Sequence, residues 1–128
     1  MVGTDIIEVS RIEKIIKEKG AKFLNRIYTK NEIDYCESKG INKYQHYAGR
    51  FAAKEAVFKV LNVETVLESP LTFKNIEILN TNDGAPYVNI LDDIIIDCFD
   101  ICNVDVSISH IKKYATAIAI SVNPPFRP

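Results

Sequence analysis

The stretch Gly49–Leu61, GRFAAKEAVFKVL, constrains the fold of this chain more than any other. It has no proline and is dominated by apolar and small residues, so it predicts an α-helix buried around most of its circumference. Glu55 and Lys59 lie one helical turn apart within it, on the flank of Phe51 and Phe58. A carboxylate and an ammonium on a mostly buried helix are costly unless each meets a partner. Two readings stay open from this segment. One is an internal Glu55–Lys59 ion pair; the other is a site where Glu55 holds a cation and Lys59 faces an anion.

The flanking sequence supplies the frame. Val2–Val9 reads as a strand that puts Asp5 on one face beside Ile7 and Val9. Ser10 with Glu13 forms a capping-box pattern for a helix that Gly20 closes, with Ile12, Ile15 and Ile16 as its apolar stripe. Thr29 with Glu32 is a second such pattern, opening a helix closed by Gly40. The buried helix then runs from about Lys43 to Leu61. The second half reads mostly as strands: Phe73–Leu79, the turn Asn82-Asp83-Gly84 into Tyr87–Leu91, and a final hairpin of Val104–Ser109 with Tyr114–Val122. Val104, Val106 and Ile108 share one face of the penultimate strand, which carries His110 at its tip. Leu91–Cys102 suits helix or strand equally. Helices in one half and antiparallel strands in the other predict an α+β fold.

The chain has 128 residues, enough for one domain and too few for two. No run approaches the roughly 20 apolar residues of a membrane span, and no basic region precedes an apolar run as in a signal peptide. The expectation is a cytoplasmic protein that does not enter the membrane. Three cysteines, Cys36, Cys98 and Cys102, without a CxxC spacing argue against a disulfide scaffold and a zinc site. The net charge of −1 conceals a polarity. Residues 11–30 carry seven basic side chains against two acidic ones, whereas residues 75–111 carry seven acids and no Lys or Arg. Such a basic segment reads either as a solvated helix face or as a surface for an acidic partner. A mildly acidic chain without a recognised binding motif makes nucleic acid the weaker partner.

Three motifs in order, G-x-D-I-x-E-x-x-R-I from Gly3, R-F-A-x-K-E-A-x-x-K from Arg50 and S-x-S-H ending at His110, resemble holo-[acyl-carrier-protein] synthases, the small bacterial type of 4'-phosphopantetheinyl transferase. Phe23–Cys36 also resembles that family's second helix region, so the likeness spreads over nearly the whole chain. It implies a single 4'-phosphopantetheinyl transferase domain over residues 1–128. The implied reaction moves the 4'-phosphopantetheine group of coenzyme A to a serine of apo acyl carrier protein, in support of fatty acid biosynthesis. Adenosine 3',5'-bisphosphate is released.

The resemblance also implies the site. Asp5 and Glu55 become ligands of Mg²⁺, a cation that takes oxygen donors and commonly one or two carboxylates plus substrate phosphates. Lys59 adds a positive charge to the same phosphate oxygens, so Asp5, Glu55 and Lys59 form the implied catalytic set. Arg50, Lys59, Gly84, Pro86, Ser109 and His110 are implied on the coenzyme A side. Taken alone, each has a plainer role: a surface ion pair for Arg50, a hairpin turn for Gly84 and Pro86, a polar strand end for His110. Carrier proteins of this class are acidic, which turns Arg11, Lys14 and Arg26 into a docking face. Larger relatives hold two related halves in one chain; a single half implies a homotrimer with sites at subunit boundaries. The sequence departs from the family at Thr4, where an apolar residue is usual, and at Asn62, where glycine is usual. The base that takes the serine proton stays open between water on the cation and a carboxylate acting through water. Two rival readings remain: a module that binds coenzyme A or a nucleotide without turnover, and a metal-dependent phosphohydrolase that needs no carrier.

Overall fold

The computed structural model describes residues 1–61, 72–91 and 104–121. The helix end at Asn62, the stretch holding Cys98 and Cys102, and the proline-rich tail lie outside the described residues. The fold is α+β. Strand β1 (Val2–Glu8) leads into α1 (Val9–Lys19), α2 (Ala21–Ile27), α3 (Lys30–Glu37) and the long α4 (Lys43–Val60). Strands β2 (Ile76–Asn80), β3 (Pro86–Ile90), β4 (Val104–His110) and β5 (Tyr114–Ser121) follow.

The first strand pairs with the last. The main sheet is antiparallel in the order β1-β5-β4, and β2 and β3 form a separate hairpin. Asp5 stands opposite Ala117, which stands opposite Ile108, so these three share one row and one face. That inner face carries Ala115, Ala117 and Ala119 from β5, all buried. Against it lies α4 with buried Ala52, Ala53 and Ala56. Alanine against alanine lets helix and sheet approach closely, and Gly3 marks the tightest point. A methyl group at Gly3 would overlap the Ala56 carbonyl oxygen and crowd Lys59 Cβ at 3.0 Å. At the other end of the crossing, a methyl at Gly49 would meet Ile108 Cγ2 at 2.9 Å. Helix α4 therefore runs from the β4 edge to the β1 edge, pinned at both ends by a glycine.

On its far side α4 packs against the helical half. Ile12 and Ile16 of α1, Ile27 at the end of α2 with Tyr28 just after it, and Cys36 of α3 form a second core around Tyr47 and Ala48. A buried ion pair ties this half together. Lys54, fully buried, donates to Glu32 Oε1 at 2.6 Å and to the carbonyls of Ile27 and Phe73 at 2.9 and 2.8 Å. Glu32 Oε2 accepts from the Ile78 N–H at 2.8 Å, so the carboxylate also reaches β2. Burial lowers the ammonium's proton affinity, and Glu32 opposes that effect.

Several expectations are met and others are corrected. The Thr29–Glu32 capping box is formed, with Glu32 N–H on Thr29 Oγ1 and Thr29 N–H on Glu32 Oε1. The Ser10–Glu13 box is not: α1 begins at Val9 with Glu8 at its cap and no side-chain cap bond. Val9, Ile12 and Ile16 are all buried, and drawing Val9 into the core starts the helix one residue early. Gly20 closes α1 at φ 56°, its N–H on the Ile16 carbonyl, and the chain turns directly into α2, which no periodicity announced. Helix α3 stops at Glu37, before Gly40, which instead opens a 3-10 turn. Phe73–Asn75 is a 3-10 turn as well, so β2 starts at Ile76 rather than at Phe73. The 82–84 turn and the final hairpin stand where expected.

Candidate active site

The fold brings Asp5 and Glu55, fifty residues apart, to one place. Asp5 lies on the inner face of β1, half-buried, and Glu55 lies half-buried on α4, on the flank of Phe51 and Phe58. They are close enough to repel: burial first, and the Asp5 charge second, raise the proton affinity of Glu55, with Lys59 acting against both. Lys59 does not pair with Glu55. Its Nζ donates to the Thr4 carbonyl at 2.7 Å and stands 3.6 Å from Asp5 Oδ1. The internal Glu55–Lys59 pair is thus replaced by a pair across elements, which leaves the Glu55 carboxylate with a like charge beside it.

Two neighbouring, part-solvated carboxylates suit a hard divalent cation. Among the described residues no group of three or more His, Cys, Asp or Glu side chains is positioned to hold a metal. A cation between Asp5 and Glu55 would therefore complete its shell with water and ligand oxygens, the usual habit of Mg²⁺ at phosphate sites. The donor set fits.

A second concavity opens where α4 meets β4. It encloses about 190 Å³ and is lined by Arg50, Asn80, Gly84, Pro86, His110 and His46, with Tyr35 at its wall. Arg50 and His110, distant in sequence, face it together with Gly84 and Pro86 of the hairpin turn. Gly84 takes φ 94°, a conformation that favours glycine. The Arg50 guanidinium lies 4.0 Å over the Tyr35 ring and donates to Asn80 Oδ1; Asn80 Nδ2 in turn donates to the Gly84 carbonyl at 3.0 Å. Arg50 Nε is buried and, among the described residues, has no partner. Arg50 lines the cleft as its fixed cation, so an anion is the ligand chemistry this cleft fits. The Asp5 row ends at Ile108, which also lines the cleft; the cleft and Asp5 are thus two strand spacings apart, about 10 Å.

Ser109 is not brought to this place. It alternates out to the opposite, exposed face of the sheet, and its neighbour His110 points in. Tyr35, His46 and Asn80 join the cleft although none stood out as a site residue, and only Tyr35 falls within a stretch that resembles the family. The sequence signal for His46 is scarcity, since the chain has two histidines, and the structure puts both in this cleft. Arg11 and Lys14 on α1 and Arg26 on α2 are exposed. The outer face of the main sheet exposes Val2, Ile6, Tyr114, Ile118 and Ile120. Among the described residues, no helix is long and apolar enough to cross a membrane.

Comparison with known proteins covers nearly the whole chain. The profile of the 4'-phosphopantetheinyl transferase superfamily matches residues 1–119. The chain is 44% identical over 122 residues to the holo-[acyl-carrier-protein] synthase of Ruminiclostridium cellulolyticum, covering 94% of this chain and 90% of that protein. Among solved structures it resembles Helicobacter pylori holo-[acyl-carrier-protein] synthase in complex with coenzyme A, at 36% identity and TM-score 0.81, covering 94% of this chain and 98% of the other. The Bacillus anthracis synthase, also in complex with coenzyme A, superimposes at 34% identity and TM-score 0.70 over 92% and 91% of the two chains.

Proposed function

We infer, for a chain that belongs to the 4'-phosphopantetheinyl transferase superfamily, that it transfers the 4'-phosphopantetheine group from coenzyme A to a serine of apo acyl carrier protein, as a holo-[acyl-carrier-protein] synthase. The observation that carries this reading is the convergence of Asp5 and Glu55 with Lys59 at their side. A binding module without turnover has no use for two repelling carboxylates held against each other.

The reaction displaces adenosine 3',5'-bisphosphate from the phosphorus next to the pantetheine arm, and its barrier lies in charge gathering on phosphate oxygens. Asp5 and Glu55 are the residues that would hold Mg²⁺. That cation, when bound, supplies Lewis-acid stabilisation and a template for those oxygens. Lys59, more than half exposed and fixed by the Thr4 carbonyl, presents an ammonium to the same oxygens. Arg50, with Asn80 holding its guanidinium and Tyr35 beneath it, would bind the nucleotide end in the cleft. His110, Gly84 and Pro86 complete that wall. Ser109 serves the nucleotide site only through the strand it shares with His110. Proton transfer from the carrier serine falls to a carboxylate acting through water.

The same reading extends to the surroundings. The chain works as a single domain in the cytoplasm, serving fatty acid biosynthesis. Arg11, Lys14 and Arg26 form the docking face for the acidic carrier. The apolar outer face of the β1-β5-β4 sheet supports assembly into a homotrimer, because a monomer rarely leaves such a face to water.

Incubating the protein with Mg²⁺, coenzyme A and apo carrier protein tests the reaction by mass spectrometry. Transfer adds about 340 Da to the carrier. A protein that binds coenzyme A without that addition is a binding module; release of pantetheine phosphate without carrier marks a phosphohydrolase.

A further inference from the structure

Helices α3 and α4 are joined by two rungs, one above the other. Glu32 meets Lys54 at 2.6 Å, and one turn further along both helices Tyr35 lies beneath the Arg50 guanidinium, its ring centroid 4.0 Å away. The second rung is a wall of the cleft; the first is fully buried and lies outside it. We propose that the buried Glu32–Lys54 pair is a positioning device for coenzyme A binding, holding the β2–β3 hairpin on α4 at the height where Asn80 meets Arg50. This rests on the reading that Arg50 binds the nucleotide end of coenzyme A, and it names residues outside the cleft on which that binding depends.

Each rung also grips the hairpin. Lys54 Nζ donates to the Phe73 carbonyl at 2.8 Å just ahead of β2, Glu32 Oε2 accepts from the Ile78 N–H at 2.8 Å within it, and Arg50 donates to Asn80 Oδ1 at its end. Among the described residues the hairpin forms a sheet of its own, so no ladder of main-chain bonds sets its height against the main sheet. Strand β2 has only β3 beside it there, which leaves the Ile78 N–H on the open edge for Glu32 to satisfy. A second carboxylate ties the same strand to the same helix. Glu77 Oε2 accepts from the Thr29 hydroxyl at 2.6 Å and from Asn31 Nδ2 at 3.3 Å, both at the start of α3.

Stability alone gives little reason for such a pair. Two charges taken out of water lose hydration that their attraction scarcely offsets, and apolar side chains of similar size often hold a core as well. What ionic hydrogen bonds supply, and apolar contacts do not, is a fixed distance and direction at each oxygen. Lys54 donates to Glu32 and to the carbonyls of Ile27 and Phe73. Glu32 accepts from Lys54, the Thr29 N–H and the Ile78 N–H. Sliding the hairpin along α4 breaks some of these bonds inside the core, so one height is selected. Two residues beyond Ile78, that height sets Asn80 against Arg50 and, through Asn80 Nδ2, fixes the Gly84 carbonyl of the turn.

The test uses the double variant Lys54→Met, Glu32→Leu, in which no charge of the pair is left buried alone. Its urea unfolding, its KM and kcat with carrier, and its Kd for adenosine 3',5'-bisphosphate without carrier are measured beside the parent. The variant is expected to fold cooperatively. KM for coenzyme A and that Kd should both rise about tenfold while kcat stays within about twofold, since alignment of a binding residue is lost and the chemistry is not. A purely structural pair would leave both constants unchanged once the variant is folded. In NMR, the Asn80 side-chain amide should exchange with water at least about tenfold faster than in the parent. Glu77→Gln, which loosens the same strand and keeps the ion pair, should show the same split at about threefold. It decides the matter if the double variant does not fold.

The proposal is overturned if the folded double variant keeps the parent's KM and Kd, if kcat falls as far as KM rises, if Asn80 exchange is unmoved, or if Glu77→Gln leaves KM unchanged. A parent that binds the bisphosphate but transfers nothing defeats the transferase reading, and Kd and Asn80 exchange still judge the positioning role. A parent that binds no bisphosphate overturns it.

Discussion

Lys59 holds Asp5 rather than Glu55, with Nζ 3.6 Å from Asp5 Oδ1 and bonded to the Thr4 carbonyl beside it. The ammonium thus bridges β1 and α4 at the point where the two carboxylates meet. Asp5 has a cation at its side, whereas Glu55 feels burial and a like charge.

Removing either carboxylate should abolish transfer without unfolding the protein. Asp5→Ala and Glu55→Ala are each expected to lower kcat/KM by at least about 100-fold, because two oxygen ligands of one cation fail together. The carrier mass-shift assay reads the loss, and an unchanged circular dichroism melt shows that the fold persists. Activity within a few-fold of the parent in either variant would remove these residues from the site.

Glu55 should become a stronger acid when its neighbour is neutralised. Its raised folded-state value means the folded protein holds a proton that the unfolded chain releases, so this group's contribution falls as pH rises above the ordinary 4.5. Asp5→Asn removes the like charge and is expected to move the Glu55 carboxyl resonance to titrate at lower pH. No movement would mean that the two acids do not sense each other.

His46 should make the acid limb of stability steeper. Its folded-state value near 4 lies below the ordinary 6.5, so its contribution is complete above pH 6.5 and is lost as pH falls toward 4. His46→Phe cannot titrate and should flatten urea midpoints across that window, leaving the alkaline side unchanged.

Breaking the buried ion pair should cost far more than replacing it. Lys54→Met leaves Glu32 charged and fully buried, which is expected to destabilise the fold by about 3–5 kcal/mol. The double variant Lys54→Met, Glu32→Leu should recover a large part of that loss, since no charge is then left buried. Denaturant unfolding of the set decides it, and a double variant as unstable as the single would contradict the account.

Placing a charge on the outer sheet face should disrupt assembly. Ile118→Glu, at an exposed position opposite Thr4, is expected to convert a trimer to monomer in size-exclusion chromatography with light scattering. A parent protein that is already monomeric would defeat the trimer.

Much of this molecule follows from patterns along the chain. The 3.6-residue spacing of Gly49–Leu61 made α4, the alternation of Val104–His110 made β4 and turned His110 inward, and Thr29 with Glu32 capped α3. These are local preferences, complete within a few residues, and they survived folding because the core agreed with them. The Ser10 cap did not survive, because burying Val9 outweighed one hydrogen bond. Which acids meet, and what Lys59 and Lys54 hold, was decided at another level. β1 returns to pair with β5 and lies on α4 through Gly3, so Asp5 reaches Glu55 across fifty residues. On the far side of α4, α3 seals Glu32 against Lys54, and β4 packed on α4 lays His110 against His46. A side chain's charge is written in the sequence; its partner, and hence its proton affinity, depends on distances that only the packed chain sets.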